Sequence, residues 1–156
     1  MPSSSSKAPS KATAPKAQAP LDPGLAAGLN ARVSLVVSDT DTAVALRSGN
    51  VPVLGTPRLV ALCEEASCRA LDGHLGPGRT TVASRIQFDH LAPVAVGATV
   101  VAEAILERVE GRRLGFTISV SRRVDGDTAL VAAGRLSRVL VDEQKFLAKA
   151  GVPATD

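Results

Sequence analysis

The sequence is poor in aromatic side chains. It has three Phe and neither Tyr nor Trp, although 45% of its 156 residues are hydrophobic. A core must therefore consist mainly of Val, Leu, Ile and Ala, and the aromatic platform on which nucleic-acid bases stack is missing. No apolar run approaches the roughly 20 residues that span a bilayer, and the N-terminus lacks the charged-then-apolar pattern of a signal peptide. We therefore expect a cytoplasmic protein that does not associate with membranes.

The sequence also lacks a real excess of basic charge, although its formal net charge is +3. Lys7, Lys11 and Lys16 lie in the first 20 residues, which contain no acidic side chain. These lysines account for the whole excess, because the rest of the chain has equal numbers of basic and acidic side chains. A charge-neutral domain lacks the excess of Lys and Arg that binds a nucleic-acid phosphate backbone. We expect no nucleic-acid partner.

Cysteine and histidine are scarce, with two of each. Cys63 and Cys68 fall about 140° apart on a predicted helix and cannot form a disulfide without disrupting it. Two Cys with distant His are too few for a zinc site. The nucleophile motif G-x-S-x-G, the phosphate loop and the dinucleotide fingerprint are also missing. We expect free thiols, no metal and no cofactor.

The composition changes once along the chain. Residues 1–24 are rich in Ser, Ala, Pro and Lys and are predicted to be disordered. Residues 25–150 are predicted to form a single domain, and 151–156 a C-terminal tail. Strands are predicted at 31–37, 80–89, 99–109, 113–123 and 128–141, with a closing helix at 142–150.

The four later strands follow one another through short connections, which favours antiparallel neighbours. One long helix and one antiparallel sheet make an α+β architecture. The sequence thus predicts a hot-dog fold, a curved sheet of about five strands wrapped around the helix. The exposed edge of such a sheet suits dimerisation.

The central helix is predicted at 56–72. Thr56 is a favourable N-cap, Pro57 suits the first helical position, and Asp72–Gly73 is a typical end. At 100° per residue, one stripe of the helix is apolar. It contains Leu59, Leu62, Cys63, Ala66 and Ala70.

Two adjacent glutamates on this helix receive different predictions. Glu65 faces solvent and can pair with Arg69 one turn on. Glu64 lies at the margin of the apolar stripe, where a carboxylate is either paired at the edge of the core or lines a cleft.

One histidine is placed to join these side chains. In the strand at 80–89, Val82, Ser84, Ile86 and Phe88 share one face, and His90 has the same parity. A helix N-terminus can stabilise an oxyanion, a glutamate can act as base or nucleophile, and an imidazole can hold a proton. Thr56, Glu64 and His90 therefore suit acyl transfer. Each can equally be structural, as a cap, an edge carboxylate and a strand-end histidine.

Four stretches carry a resemblance in their order and spacing: GTPRLVALCEEASCRAL, FDHLAPVAVGATV, VEGRRLGFTISV and SRVLVDEQKFLAKA. From about residue 33 to 149 the sequence resembles the hot-dog thioesterases of the fluoroacetyl-CoA thioesterase type. The resemblance implies that Thr56, Glu64 and His90 are the catalytic residues. It also implies that Arg138 and Ala83, the latter replacing a family glycine, contact the substrate.

The same resemblance implies an acyl-CoA substrate, so that CoA is part of the substrate and not a cofactor. It implies a homodimer or higher homo-oligomer whose active site draws on both protomers, with arginines near the CoA phosphates.

The segment before the helix indicates which acyl group to expect. The fluoroacetyl-specific enzyme has a phenylalanine lid there, whereas residues 43–54, AVALRSGNVPVL, contain no aromatic. We therefore expect hydrolysis of a short- or medium-chain acyl-CoA. The alternatives are a hot-dog acyl-CoA hydratase or dehydratase that uses Asp89 and His90, and a non-catalytic acyl-CoA-binding module.

Overall fold

The computed structural model describes residues 24–155. It contains the elements β1 (Asn30–Val36), α1 (Thr56–Ala70), β2 (Arg79–His90), β3 (Thr99–Glu110), β4 (Arg113–Val124), β5 (Asp127–Asp142) and α2 (Glu143–Lys149). The predicted strands and helices are confirmed, with ends that differ by no more than a few residues. Except for Gly24, the predicted disordered tail lies outside the described residues. None of the helices within residues 24–155 is long and apolar enough to cross a membrane.

The five strands form one antiparallel sheet in the order β1-β3-β4-β5-β2. The predicted α+β architecture is confirmed, but the expectation that the four later strands are sequential neighbours is wrong at its first step. β2 pairs with β5, because residues 91–98 carry the chain to the other side of the sheet. This connection is held at both ends, since the Leu91 amide donates to the Val131 carbonyl at 2.8 Å and the Val37 amide donates to the Ala98 carbonyl at 2.9 Å. β1 and β2 are therefore the two edges.

Helix α1 covers one half of the concave face of the sheet. It packs chiefly against β1 and β3 and only lightly against β2. The predicted apolar stripe is confirmed, since all five of its residues are buried. The concave face near β2 is less covered, and Ile86, at the middle of that edge strand, remains 36% exposed.

A β-bulge at Ser84 changes the face that β2 presents to the helix. Ala83 pairs with Arg138 and Arg85 with Ser137, so that the register shifts between them. The predicted alternation is correct after the bulge, where Phe88 and His90 are half-buried. It is wrong before the bulge, where the odd-numbered residues turn inward. A bulge changes the direction of the side chains that precede it. Ala83 and His90 therefore lie on the same face of β2, although one number is odd and the other even.

Candidate functional site

The N-cap of helix α1 lies one residue earlier than predicted, so the prediction that Thr56 is the cap is wrong. Gly55 is the N-cap and Thr56 is the first helical residue. A Cβ at position 55 would lie 3.1 Å from the Ala43 amide nitrogen and 3.1 Å from Leu46 Cδ1, so the preceding loop fits closely only around glycine. Because Gly55 and not Thr56 occupies the N-cap position, no side chain caps the helix and the Thr56 hydroxyl is free for another partner.

The Thr56 hydroxyl instead reaches the end of β2. Its Oγ1 lies 2.8 Å from His90 Nδ1, although the two residues are 34 positions apart. The direction of this hydrogen bond depends on the histidine tautomer. His90 Nε2 is buried and has no hydrogen-bond partner within residues 24–155. A buried polar atom without a partner is costly, so a ligand that engages Nε2 would recover that cost.

The start of α1 presents fewer amide donors than a typical helix. Pro57 has no N–H, and the Arg58 amide already donates to the Gly55 carbonyl at 3.0 Å. The Thr56 amide has no acceptor among the described residues. An oxyanion at this point could therefore use one helix amide, that of Thr56.

An ion pair joins the preceding loop to the same turn of α1. The Asp41 carboxylate accepts hydrogen bonds from the Ser38 amide at 2.8 Å, the Ser38 hydroxyl at 2.9 Å and Arg58 Nε at 3.0 Å. Burial alone would raise the pKa of Asp41, but the hydrogen bonds from Ser38 and the bond and charge of Arg58 outweigh it and lower the pKa below 3.8. The segment beside Thr56 is thus fixed by a charged network.

Within residues 24–155, the Glu64 side chain makes no hydrogen bond to Thr56 or His90. Eight residues along a helix separate Thr56 from Glu64 by about 12 Å of axial rise. The Glu64 side chain is half-buried, and its carboxylate makes no hydrogen bond within residues 24–155, whereas the neighbouring Glu65 pairs with Arg69 at 2.9 Å as predicted. Burial first, and the charge of Glu64 second, raise the pKa of the Cys63 thiol to about 12, which makes this thiol unreactive.

Arg138 lies far from His90 in the same chain. It pairs in register with Ala83, seven residues before His90, which is about 23 Å along a straight strand. Its guanidinium is buried and donates to Thr81 Oγ1 at 2.8 Å, to the Thr81 carbonyl at 2.9 Å and to Ser67 Oγ at 3.4 Å. No carboxylate among the described residues pairs with it. The sequence-predicted residues therefore form two groups, one at each end of β2.

The alternative pair of Asp89 and His90 is not assembled. Adjacent residues of a strand point to opposite faces, and Asp89 is exposed while His90 is half-buried. Within residues 24–155 no hydrogen bond joins them, and no group of three or more His, Cys, Asp or Glu side chains is arranged to hold a metal ion.

Three positions that shape the site were missed from the sequence. Ser67 and Thr81 hold Arg138, and nothing in the sequence pairs them with it. Gly134 lies opposite Phe88, where an added Cβ would overlap the Gln87 carbonyl oxygen. An isolated glycine inside a strand is a known sign of close backbone approach, so Gly134 could have been found.

Comparisons with known proteins identify the family of this chain. The family model described as fluoroacetyl-CoA-specific thioesterase matches residues 37–144. The fluoroacetyl-CoA thioesterase of Streptantibioticus cattleyicolor is 35% identical over 97 residues, which are 62% of this chain and 67% of that protein.

Two solved structures are similar in fold. A mutant fluoroacetyl-CoA-specific thioesterase in complex with fluoroacetate and CoA is 29% identical, with a TM-score of 0.69 over 78% of this chain and 99% of that chain. A hot-dog-like protein from Thermanaerovibrio acidaminovorans is 25% identical, with a TM-score of 0.72 over 80% of this chain and 90% of that chain. The chain therefore has the hot-dog fold, belongs to the fluoroacetyl-CoA-specific thioesterase family and is a thioesterase.

Proposed function

We propose that this thioesterase hydrolyses a short- or medium-chain acyl-CoA to the free acid and CoA, with Thr56, Glu64 and His90 as its catalytic residues. The observation that carries the proposal is the hydrogen bond between Thr56 Oγ1 and His90 Nδ1, which leaves His90 Nε2 buried and unpartnered. The thioester carbonyl would lie against the start of α1, where the Thr56 amide and the positive end of the helix dipole face its oxygen.

Each group has a distinct part in the reaction. Thr56 orients the imidazole, and His90 passes the proton to the departing CoA thiolate. Glu64 supplies the oxygen nucleophile in one of two ways. It takes a proton from the attacking water, or it attacks the carbonyl itself to form an anhydride that water then cleaves. Both routes add one water across the C–S bond, and a single turnover in ¹⁸O-labelled water distinguishes them, because only the anhydride route can place the label in Glu64.

The separation of Glu64 from Thr56 supports a site shared between two protomers. We propose a homodimer in which the edges of two β2 strands pair antiparallel about a two-fold axis. Such pairing places the His90 end of one strand beside the Arg79 end of the other. Glu64, Ala83 and Arg138 of one protomer then serve the Thr56–His90 pair of its partner. The open edge of β2 and the exposed Ile86 support this arrangement.

Residues 43–54, which precede α1, support the choice of acyl group. Leu46 contacts the cap position Gly55, and Val44 and Val51 of the same segment are exposed. These side chains are aliphatic, so the segment offers no aromatic ring to enclose a very small acyl group.

The catalytic assignment is tested by Glu64→Gln and His90→Ala. Each variant is expected to lower kcat/KM for acyl-CoA hydrolysis by about 10²-fold or more, since each removes a general acid–base group. Glu65→Gln is the matched control, because Glu65 pairs with Arg69 at the surface and its loss should change activity little. Full activity in both test variants would contradict the assignment. A panel of acyl-CoA chain lengths identifies the preferred acyl group.

Mixed dimers test the sharing of the site. If Glu64 acts with the partner's Thr56–His90 pair, a dimer of one Glu64→Gln and one His90→Ala chain contains one intact site and one site with both changes. Mixing the two inactive variants should then restore activity to a substantial fraction of wild type. Absence of recovery in verified mixed dimers would place Glu64 and His90 of each site on one chain.

A further inference from the structure

Asp41 is a buried acidic residue that contacts the first turn of α1 at two points. It is 8% exposed. Its backbone carbonyl accepts the Gly55 amide at 2.9 Å, and its carboxylate accepts Arg58 Nε at 3.0 Å. Gly55 and Arg58 lie on either side of Thr56 in the chain, so Asp41 holds the turn both before and after this residue.

The Asp41 carboxylate uses each of its oxygens toward a different part of the chain. Oδ2 accepts the amide and the hydroxyl of Ser38, at 2.8 Å and 2.9 Å, and Oδ1 accepts Arg58 Nε. An asparagine side chain has one acceptor oxygen, and its nitrogen is a donor. Asparagine at position 41 could therefore accept from Ser38 or from Arg58 but not from both. The bridge from the loop to α1 requires a carboxylate.

A backbone hydrogen bond fixes the chain before Thr56 relative to His90. The Leu54 amide, two residues before Thr56, donates to the Val94 carbonyl at 2.9 Å, and Val94 is four residues after His90. On the helical side of Thr56, the connection to the loop is the side-chain contact that Asp41 makes. The distance from Thr56 Oγ1 to His90 Nδ1 is 2.8 Å, and a hydrogen bond of this kind weakens steeply when its alignment is lost. The bond between the two side chains therefore depends on how firmly the first turn of α1 is held.

We propose that Asp41 is a positioning residue of this enzyme, which acts through the first turn of α1 to keep the Thr56 hydroxyl on His90 Nδ1. The inference rests on the proposed function, in which this pair reacts, and adds a residue outside the pair on which its geometry depends. A shift of the hydroxyl changes the orientation of the imidazole in the transition state and leaves the binding of the acyl-CoA elsewhere intact. Loss of the Asp41 carboxylate should therefore lower kcat and leave KM near its wild-type value.

The first test measures kcat and KM separately for acyl-CoA hydrolysis. Asp41→Asn should lower kcat by about tenfold with KM retained, since a small misplacement of a catalytic group is costly. Asp39→Asn is the control, because it removes the same charge from an exposed position of the same turn, where the side chain makes no hydrogen bond among the described residues. Both variants are assayed where circular dichroism shows them folded. A wild-type kcat for Asp41→Asn, or an equal fall in kcat for both variants, overturns the proposal.

A second test determines whether Asp41 acts through Thr56. Thr56→Val removes the hydroxyl and should lower kcat by itself. When Asp41→Asn is added to Thr56→Val, kcat should fall little further, because no hydroxyl is left to position. If Asp41 only stabilises the fold, Asp41→Asn instead causes the same fractional loss of kcat with and without the hydroxyl, and that result overturns the proposal.

A third test does not depend on hydrolysis. The chain has two histidines, so ¹⁵N NMR of the imidazole nitrogens observes His90 with His74 as an internal reference. At mildly alkaline pH, where imidazole is neutral, the bond to Thr56 should hold His90 of the wild type in one tautomer. Asp41→Asn should shift the ring nitrogens of His90 toward the average of the two tautomers and leave those of His74 unchanged.

The NMR result separates this proposal from the proposed function. An unchanged His90 signal in Asp41→Asn, or a wild-type signal that is already the average of two tautomers, overturns the positioning role. If the shift occurs in a protein that hydrolyses no acyl-CoA, the positioning role is supported and the proposed function fails.

Discussion

The two ends of β2 hold polar side chains in opposite ways. At one end, the His90 ring bonds to Thr56 through Nδ1, and its Nε2 is left without a partner among the described residues. At the other end, Arg138 is 6% exposed and bonds to Thr81 and Ser67 through Nε and both terminal nitrogens. Nε2 of His90 therefore has no partner among the described residues, whereas all three guanidinium nitrogens of Arg138 donate hydrogen bonds.

This difference separates a group that is ready to react from one that holds the structure. An unpartnered nitrogen can change its protonation or bind a ligand without first breaking a bond. The hydrogen bonds of Arg138 join β5 to β2 and α1. Its positive charge can therefore act on a substrate only at a distance, or after the guanidinium gives up a bond to Thr81 or Ser67. We therefore expect changes at His90 to affect activity first and changes at Arg138 to affect stability first.

Arg138→Ala tests this comparison with the largest expected effect on stability. The variant leaves the Thr81 and Ser67 oxygens without their donor and opens a cavity beneath α1. The free energy of unfolding should fall by about 3 kcal/mol. Arg135→Ala is the control, since Arg135 is an exposed arginine on the other face of β5. Urea denaturation of both variants provides the measurement, and equal stabilities would contradict a structural part for Arg138.

Gly134→Ala tests how closely the His90 end depends on packing. The new Cβ would overlap the Gln87 carbonyl oxygen and lie 2.9 Å from Phe88 Cα, so the end of β2 must shift. We expect a loss of about 2 kcal/mol in stability, as for other overpacked sites, together with a lower kcat because His90 moves. In Gly115→Ala the added Cβ would meet Arg108 Cβ at an ordinary 3.5 Å. If both variants unfold at the same urea concentration, β2 and β5 are not as tightly apposed as the structure shows.

The sequence predicted most of the helix and the strands because periodicity and turn residues are local signals. The apolar stripe of α1 and the different surroundings of Glu64 and Glu65 follow from 100° per residue alone. The strand order did not follow, because residues 91–98 are long enough to cross the sheet and resemble a turn in composition.

The candidate site was predictable in residue type and less so in arrangement. Thr56 and His90 are 34 positions apart, and their contact depends on α1 running antiparallel to β2. The partners of Arg138 depend on the bulge at Ser84, because the bulge turns Thr81 and Ala83 to the opposite face of β2. The alternation of apolar and polar residues in the sequence does not reveal this bulge. Such long-range features arise from tertiary packing, which a pattern along the chain does not record.

Loss of the ion pair between Asp41 and Arg58 is expected to have the smallest effect on stability. This ion pair lies at the Thr56 end alone. The folded protein lowers the pKa of Asp41, so the charged carboxylate stabilises the fold at every pH above its ordinary value of 3.8. This contribution is lost as the pH falls through the lower pKa of the folded state. We therefore expect Asp41→Asn to cost about 1–2 kcal/mol near neutral pH, and the difference from wild type to shrink below about pH 4.

Urea denaturation of both proteins between pH 3 and pH 7 measures that difference. Asp39→Asn is the control, because Asp39 is exposed in the same turn and its side chain makes no hydrogen bond among the described residues. Its stability should follow wild type at each pH. A cost for Asp41→Asn that does not change with pH would mean that Ser38 and Arg58 bind the side chain by shape and not by charge. The segment beside Thr56 would then be held in acid as firmly as at neutral pH.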